Sequence, residues 1–486
     1  MIRLRSLASD TMVYGLLSAA RSMVGLLLMP IYTRVFLPGD YGQIDTLNTV
    51  VAFLTLTLTL GMDTAVALFF YDNQGKEDRA NMLTTSITTR IGLSTLSAIL
   101  LSVAAPWISM NLFRTPDAAT AICLAAWTAP VTALVGFLSE LLRLERRPWI
   151  FSAVSLFNLL IGIVFSIWFV VGLQWGVNGA LGAPLVASVL VLPVVLWINR
   201  DLFATHMSIT WLKQLLRVGL PLVPAAFGGW LIAYANRYFL LYYASSGAVG
   251  LLAVGNKASA PLVLFTQAFL FAWGPFAFSL QKQSNAREIY AKTFTYFWLI
   301  AGTLGLAVSL YARELLWIVT TPAYVDGYLV TGFMVLQLLA DCSYYIVSIG
   351  LVLARKTERL AISVPIAAAG TILFNWLLVP RFGFVGAGFA GMLSYTLLAG
   401  LAYSFAQSAY PIPFEIGRVA RLVTLAVVIW FVGYWLAPPA LLPALALKTA
   451  LFALFVWTLF MARVVSPTEI RQLSDLGRQM LMARLG

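Results

Sequence analysis

Charged residues are scarce in this sequence, because Asp, Glu, Lys and Arg together make up 10% of its 486 residues. Soluble globular domains carry about a quarter, so the composition excludes that class. Hydrophobic residues account for 61%, which indicates an integral membrane protein. The net charge of +12 would suggest nucleic acid only if basic residues clustered on one exposed face. They are spread among short loops, so we expect no nucleic-acid partner.

Cysteine and histidine are also rare. Cys123 and Cys342 both lie within apolar segments, so neither a disulfide framework nor a metal site is predicted. His206 is the only histidine, which argues against a mechanism that needs a histidine pair or triad. The sequence has no phosphate-binding glycine-rich loop with Lys-Ser or Lys-Thr and no cluster of metal ligands. We therefore expect no cofactor and no enzymatic activity.

Long apolar runs make up most of the chain. About fourteen of them are long enough to cross a bilayer as helices. They cover approximately 11–35, 43–70, 82–106, 118–142, 150–172, 177–198, 215–243, 247–272, 290–312, 326–353, 360–379, 384–407, 417–436 and 441–462. The sequence therefore predicts an all-α integral membrane protein.

A short repeat indicates two related halves. Thr33-Arg34-Val-Phe-Leu at the end of the first span resembles Asn236-Arg237-Tyr-Phe-Leu at the end of the seventh, and transporters are often built from such repeats. We therefore expect two pseudo-symmetric bundles around a central cavity. The predicted divisions are an N-terminal lobe (helices 1–6) at 1–205, a C-terminal lobe (helices 7–12) at 206–410, helices 13–14 outside the core at 411–465, and a cytoplasmic tail, either amphipathic or simply solubilising, at 466–486.

Basic residues are distributed unevenly between alternate loops. If the first helix starts in the cytoplasm, most Lys and Arg residues fall in cytoplasmic loops. The loops on the opposite side contain only Arg34, Arg114, Arg313 and Arg381. Because positive charge is kept on the cytoplasmic side of membranes, this distribution predicts that both termini are cytoplasmic.

Several polar and charged side chains fall inside the predicted spans. A charge at mid-membrane depth must be paired, neutralised or exposed to water, so each such residue either lines a cavity or fixes helix packing. For Arg21, Lys257 and Asp341 we favour a cavity role. For Asp63 and Lys448, which lie close to helix ends, packing is the expected role.

Basic candidates outnumber acidic ones at depth, since Arg21, Arg237 and Lys257 stand against Asp341 alone. An interior with surplus positive charge attracts anions, most naturally phosphate or pyrophosphate. The predicted substrate-binding residues are Arg21, Asn48, Arg237, Asn256, Lys257, Gln337 and Tyr344. The predicted sites of ion coupling or counter-charge are Asp341 and Asp63.

The ends of the first and second spans, and the seventh span, carry motifs of a known family. They are Pro30-Ile-Tyr-Thr-Arg34, Pro38-Gly-Asp-Tyr41-Gly42, Gly61-Met-Asp63-Thr-Ala65, Phe69-Phe70-Tyr71, Gly219-Leu-Pro221-Leu-Val-Pro224 and Arg237. Over essentially its whole length the chain resembles the polysaccharide transporter branch of the multidrug/oligosaccharidyl-lipid/polysaccharide flippase superfamily, that is, a Wzx-like lipid-linked oligosaccharide flippase. Relatives often carry a basic residue shortly before the aromatic cluster, where this chain has Leu68.

The resemblance implies two bundles in a V, related by a pseudo-two-fold axis along the membrane normal. It also implies a multi-pass protein of the bacterial inner membrane that moves undecaprenyl-pyrophosphate-linked oligosaccharide to the periplasmic leaflet for lipopolysaccharide O-antigen, capsule or exopolysaccharide assembly. Arg21, Arg237 and Lys257 would meet the pyrophosphate or acidic sugars, and Asp341 would be a proton site or counter-charge. Polysaccharide polymerase and glycosyltransferases are possible partners, besides the lipid bilayer.

Other functions are compatible with the sequence. An ion-coupled drug exporter or a lipid II flippase would keep the same fold, although the basic interior and about fourteen helices disfavour the drug exporter. A third alternative is a non-transporting scaffold that recruits glycosyltransferases through its basic loops. For the scaffold, substitutions in the loops would be harmful and substitutions in the cavity would not.

Overall fold

The computed structural model describes residues 25–72, 75–204 and 206–461, and every regular element within these ranges is helical. The helices of the first half are α1 (Gly25–Val35), α2 (Pro38–Leu58), α3 (Met62–Asp72), α4 (Lys76–Ile108), α5 (Ala118–Leu144), α6 (Pro148–Ile167) and α7 (Gly176–Asn199). Short π-helical turns, Ser109–Phe113 and Trp168–Gly172, continue α4 and α6.

The second half continues the pattern of long apolar helices. They are α8 (Ile209–Gly219), α9 (Val223–Tyr243), α10 (Ser246–Ala258), α11 (Ala260–Leu280), α12 (Ala286–Val319), α13 (Tyr328–Leu353), α14 (Glu358–Ala409), α15 (Ile416–Leu436) and α16 (Leu441–Met461). A 3₁₀ segment, Pro322–Gly327, precedes α13.

Local sequence signals fix where several helices begin. Pro38 and Pro148 occupy the first turns of α2 and α6, where proline removes no hydrogen bond that the helix could make. The Ser208 hydroxyl accepts a hydrogen bond from the first turn of α8, and that of Ser245 from the first turn of α10. These serine caps satisfy backbone N–H groups that a helix start leaves unpaired.

Eleven of the described helices are long and apolar enough to cross a membrane, or up to twelve if the bent pair α2–α3 is one span. This count does not reach about fourteen, so that number stays a prediction. Two predicted spans, 360–379 and 384–407, fall together in α14. Most of the first predicted span lies outside the described residues.

The 52 residues of α14 fold back at Gly383, whose φ of 55° and ψ of −133° are not helical. Gly370 packs so closely on Leu397 that an added Cβ would lie 2.5 Å from its side chain. A straight helix would separate these two residues by about 40 Å. α14 is therefore a helical hairpin whose two arms correspond to the two predicted spans.

Helix contacts repeat between the two halves. In the first half α2 packs on α5 and α7, and α5 packs on α4 and α7. In the second half α10 packs on α13 and α14, and α13 packs on α12 and α14. The chain thus forms two pseudo-symmetric bundles, as predicted, in which α10 takes the place of α2 and α13 that of α5.

The short helix α8 lies across the predicted boundary between the lobes. It follows residue 206 in sequence, yet it packs against α3 and α4 of the N-terminal bundle. Its Leu215 is fully buried in one apolar cluster with Met62 and Leu83. α8 therefore anchors the start of the second half to the first, and the division at 205/206 stays a prediction.

Helices α15 and α16 pack on α12, at the side of the C-terminal bundle. Lys448 of α16 is buried there, and its ammonium group donates to both carboxylate oxygens of Glu314 at 2.6 and 2.7 Å. The two side chains are 5% and 8% exposed. This ion pair ties α16 to α12, which is the packing role expected for Lys448.

Candidate substrate cavity

A cavity of about 490 Å³ lies between the two bundles. Ala52 and Leu56 of α2 form one wall, and α9, α13 and α14 form the others. Its aromatic and polar lining consists of Trp230, Tyr234, Asp341, Tyr344, Tyr345 and Tyr395. The volume falls in the range of about 300–1,000 Å³ that is common for small-molecule sites, and the cavity brings together the predicted residues Asp341 and Tyr344.

At the predicted periplasmic end, α2 and α10 meet through glycines. A Cβ added to Gly42 would lie 1.8 Å from the carbonyl oxygen of Ser246, and one added to Gly250 would lie 2.0 Å from that of Pro38. Any side chain at either position would collide with backbone. Pro38 begins α2 and Ser246 begins α10, so the two contacts are equivalent under the pseudo-two-fold axis.

Hydrogen bonds close the same end. The Tyr324 hydroxyl donates to the carbonyl of Phe36 at 2.9 Å, and the Thr321 hydroxyl donates to that of Thr33 at 3.2 Å. The ring of Tyr324 is fully buried and packs edge-on against Tyr41. The segment before α13 therefore holds the connection between α1 and α2.

A second glycine contact lies toward the predicted cytoplasmic end. α2 and α3 are bent by 42°, and Leu60 and Gly61 at the bend have φ of 45° and 68°. A Cβ added to Gly61 would lie 2.3 Å from the carbonyl oxygen of Gly219, and one added to Gly219 equally close to that of Leu60. Phe53 of α2 also packs on Phe227 of α9. Contacts between the two halves thus border the cavity at both ends.

Arg237 lies one helical turn from the cavity wall and reaches the opposite bundle. Its Nε donates to Oδ2 of Asp45 on α2 at 3.1 Å, and the side chains are 8% and 21% exposed. Its Nη1 donates to Oδ1 of Asn236 and to the carbonyl of Ala233. The guanidinium also stands 5.6 Å from the ring centroid of Tyr234, which lines the cavity. An ion pair between the bundles therefore adjoins the cavity.

Lys257 makes a second link between the bundles. Its Nζ donates to the carbonyl of Gly25 on α1 at 3.5 Å. Among the described residues at this depth, the acids Asp45 and Asp341 are equal in number to the bases Arg237 and Lys257. The predicted surplus of positive charge now depends on Arg21, which lies outside the described residues.

Asp341 has no ion-pair or hydrogen-bond partner in the part of the chain that the structure describes. Of the basic residues considered as its partners, Arg237 pairs with Asp45, and Lys257 donates to the carbonyl of Gly25. Asp341 is half-buried and shares the cavity lining with four tyrosines. A carboxylate in this setting is free to meet a solute.

The remaining predicted binding residues take different positions. Asn48 on α2 and Asn256 on α10 are exposed. Gln337 lies one turn from Asp341 on α13, and its buried Oε1 has no hydrogen-bond partner among residues 25–72, 75–204 and 206–461. Gln337 packs on Gly391, where an added Cβ would lie 2.4 Å away. It therefore lies at the contact between α13 and α14 and is not part of the cavity lining.

Asp63 lies away from the cavity, at the start of α3. Its Oδ1 stands 2.8 Å from Nη2 of Arg90, and the side chains are 48% and 5% exposed. The guanidinium of Arg90 also covers the ring of Phe137 at 4.3 Å. The pair holds α3 against α4 and α5, in keeping with the packing role expected for Asp63.

Asp45, the ion-pair partner of Arg237, was not singled out from the sequence. The second span was predicted to start at residue 43, which put Asp45 near the membrane surface, whereas α2 starts at Pro38. A short sequence repeat shared by the starts of α2 and α10 could have indicated where α2 begins, since it marks the two helices as equivalent. Its paired positions are Gly39 and Gly247, Gly42 and Gly250, and Asn48 and Asn256.

An apolar groove of about 840 Å³ lies on the other side of α13. Ala340 and Ser343 line this groove, whereas Asp341 and Tyr344 line the cavity. Val423 of α15 belongs to the opposite wall of the groove. One helix thus separates a polar cavity from a groove that suits hydrocarbon.

The sequence of this chain matches one protein-family model. Residues 7–281, more than half of the chain, match the family model described as polysaccharide biosynthesis protein. Among curated proteins none matches at a significant level.

Several solved structures share the fold. A lipid II flippase MurJ in an inward closed conformation gives a TM-score of 0.72 at 13% identity, covering 93% of this chain and 100% of that one. An inward-facing multidrug resistance MATE family transporter of the MOP superfamily gives 0.66 at 15% identity, covering 81% and 94%. An outward-facing one gives 0.58 at 15% identity, covering 82% and 94%.

Proposed function

Because the chain belongs to the polysaccharide biosynthesis protein family, we propose that it is a flippase for undecaprenyl-pyrophosphate-linked oligosaccharide. It moves this lipid from the cytoplasmic to the periplasmic leaflet of the bacterial inner membrane, with both of its termini in the cytoplasm. The cargo serves the assembly of a surface polysaccharide, namely O-antigen, capsule or exopolysaccharide. Polysaccharide polymerase and glycosyltransferases are the expected partners.

The observation that carries the proposal is the position of Arg237 and Lys257 at the boundary between the bundles. Each reaches from the C-terminal bundle to an acceptor in the N-terminal one. Basic side chains at membrane depth are costly and commonly mark a substrate path. The oxygens of a pyrophosphate accept charge-assisted hydrogen bonds from guanidinium and ammonium groups, and such bonds are about twice as strong as neutral ones. The site therefore suits a cargo with phosphate close to the cavity.

In alternating access the bundles separate at one end at a time. Opening the predicted periplasmic end must part Asp45 from Arg237, since one lies in each bundle. A pyrophosphate that enters from the cytoplasmic side competes with Asp45 for Arg237 and weakens this link. Cargo binding then favours the outward-open state, because a ligand shifts an equilibrium toward the state it binds better.

The polyprenyl chain of the cargo stays in lipid while the glycan crosses. The apolar groove beside α13 and α15 supports this division, since its lining is almost entirely hydrocarbon. The polar cavity lies on the opposite side of α13. The C-terminal bundle thus offers separate surfaces to the two parts of an amphiphilic cargo.

Ion coupling, if it drives the cycle, would use Asp341 or Asp63. Asp63 is engaged by Arg90 outside the cavity, whereas Asp341 borders the cavity without a partner among the described residues. The structure therefore favours Asp341 for this role.

A flipping assay in proteoliposomes tests the proposal. The probe is fluorescent undecaprenyl-pyrophosphate N-acetylglucosamine, and the readout is its movement between leaflets. Arg237→Ala and Lys257→Ala should each lower the initial rate about tenfold or more, because a hydrogen bond to a charged group is worth about 1.5–3 kcal/mol. Arg381→Ala, at an exposed turn, is the control and should keep the wild-type rate. Absence of flipping by the wild type, or equal rates in all variants, would refute the proposal.

A lipid II flippase is the second candidate, favoured by the fold shared with such a protein. Cells depleted of their own lipid II flippase would grow on this chain only if it moves lipid II. Lysis of such cells, together with flipping of the N-acetylglucosamine lipid, would favour the first candidate.

A further inference from the structure

The cavity lining is chemically divided. Arg237 adjoins its predicted periplasmic side, one helical turn from Tyr234, while aromatic rings and a carboxylate line its walls. The rings belong to Trp230, Tyr234, Tyr344, Tyr345 and Tyr395. Ring centroids of Trp230 and Tyr234 stand 6.0 Å apart, and those of Tyr344 and Tyr345 stand 5.2 Å apart. Asp341 is the one charged residue among those that line the described cavity.

Such a wall is complementary to a sugar. The C–H faces of a pyranose ring pack on aromatic rings, which offer a large apolar face and, in tyrosine, a polar edge. Sugar hydroxyls and acetamido N–H groups donate hydrogen bonds, and an ionised carboxylate can only accept them. Asp341 has acceptor oxygens to spare, because no described residue donates to it.

The aromatic residues of the cavity lie next to Arg237. Tyr234 lines the cavity and also lies under the guanidinium of Arg237 at 5.6 Å. Tyr395 and Asp341 belong to the same cavity. A group bound to Arg237 is therefore followed, within one helical turn of α9, by the aromatic wall.

We propose that the aromatic wall binds the sugar unit next to the pyrophosphate, and that Asp341 selects a sugar without a carboxylate, such as a neutral, N-acetylated or amino sugar. This inference rests on the proposed flippase function and deepens it. An acidic sugar in this position would set a second negative charge against Asp341 in a confined cavity, and juxtaposed like charges strongly disfavour binding.

Two lipids that differ in one sugar test the proposal in proteoliposomes. They are undecaprenyl pyrophosphate carrying N-acetylglucosamine and the same lipid carrying glucuronic acid. The wild type should flip the neutral lipid at least about tenfold faster than the acidic one. Asp341→Asn keeps the shape but removes the charge, and should bring this ratio close to one. Asp326→Asn, an exposed acid outside the cavity, is the matched control and should keep the wild-type ratio.

The outcomes separate this inference from the proposed function. If the wild type flips both lipids at equal rates, the selectivity is refuted and the flippase function stands. If Asp341→Asn slows both lipids equally and keeps the ratio, Asp341 acts in the cycle and does not select the sugar, which also refutes the inference. If the wild type flips neither lipid, the proposed function and the inference fail together.

A second variant covers the case in which Asp341→Asn does not fold. Tyr345 is 50% exposed, so its removal leaves little unfilled space. Tyr345→Ala should lower the rate for N-acetylglucosamine lipid about three- to tenfold, as expected for loss of an aromatic contact. The same variant should lower the rate for sugar-free undecaprenyl pyrophosphate much less, so that the ratio of the two rates falls. An equal loss for both lipids would overturn the assignment of this wall to the sugar.

Discussion

At the scale of single residues, the ion pair of Asp45 and Arg237 joins the bundles and adjoins the cavity. Asp45→Asn leaves a buried guanidinium without its counter-charge, so we expect the protein to lose about 3 kcal/mol of stability. Adding Arg237→Met to this variant should recover part of the loss, because the uncompensated charge is then removed. Thermal unfolding in detergent measures both effects. Additive losses in the double variant would mean that the two side chains do not interact.

Lys448 and Glu314 form a second buried pair, far from the cavity. Lys448→Met leaves Glu314 unpaired and should cost about 3 kcal/mol of stability, whereas Lys448→Met with Glu314→Gln should recover most of it. Lys356→Met, at an exposed position, serves as the control. The flipping rate of the double variant should match the wild type, because this pair only ties α16 to α12. A stable double variant that no longer flips lipid would contradict that role.

At the scale of helices, the glycine contact between α2 and α10 governs the predicted periplasmic end. Gly42→Ala places a methyl group against the backbone of Ser246, so the helix ends must separate. We expect a cysteine introduced at Ala52 in the cavity to react faster with a membrane-impermeant thiol reagent added from the periplasm. Gly136→Ala is the control, because an added Cβ there meets nothing within 4 Å. Unchanged labelling in Gly42→Ala would show that this contact does not close the end.

Disrupting the contact of Gly219 with Leu60 should open the cavity at the opposite, cytoplasmic end. Gly219→Ala forces α8 away from the bend between α2 and α3, and labelling of the same cysteine should then increase from the cytoplasmic side. Gly219 is a cleaner position for this test than Gly61, whose φ of 68° strains any substitution. If both alanine variants increased labelling from one side only, the assignment of two opposed contacts would be wrong.

At the scale of the whole molecule, the distribution of basic loops predicts the orientation. A cysteine at His206 should react only from the cytoplasm, and one at Arg381, beside the α14 turn, only from the periplasm. Labelling of both from the same side would show that the predicted topology is wrong.

The architecture followed from the sequence to a large extent. The predicted spans at 118–142 and 177–198 agree closely with Ala118–Leu144 and Gly176–Asn199, because helix length in a membrane is set by a continuous apolar run. Even the two arms of α14 were separated correctly, since Arg381 and Gly383 interrupt the apolar run. The bend at Gly61 was not predicted, because it lies within one apolar run. Helix α8 was not predicted, because Lys213 and Arg217 interrupt its apolar residues and its first half was assigned to a loop.

The candidate site was predicted less completely, and the reason is physical. Asp341 and Tyr344 share one face of α13, so helical periodicity alone placed them together. The partner of Arg237 lies 192 positions away in sequence, on a helix of the other bundle. A local sequence pattern cannot predict a contact between residues so far apart.

The sequence by itself determined the membrane class, the position of most helices and the charges at membrane depth, because apolar length and charge are properties of short segments. Only the tertiary structure decided how those charges combine. It joined Arg237 to Asp45, left Asp341 among tyrosines and paired Asp63 with Arg90, because a buried charge is satisfied by whichever side chain helix packing brings within reach.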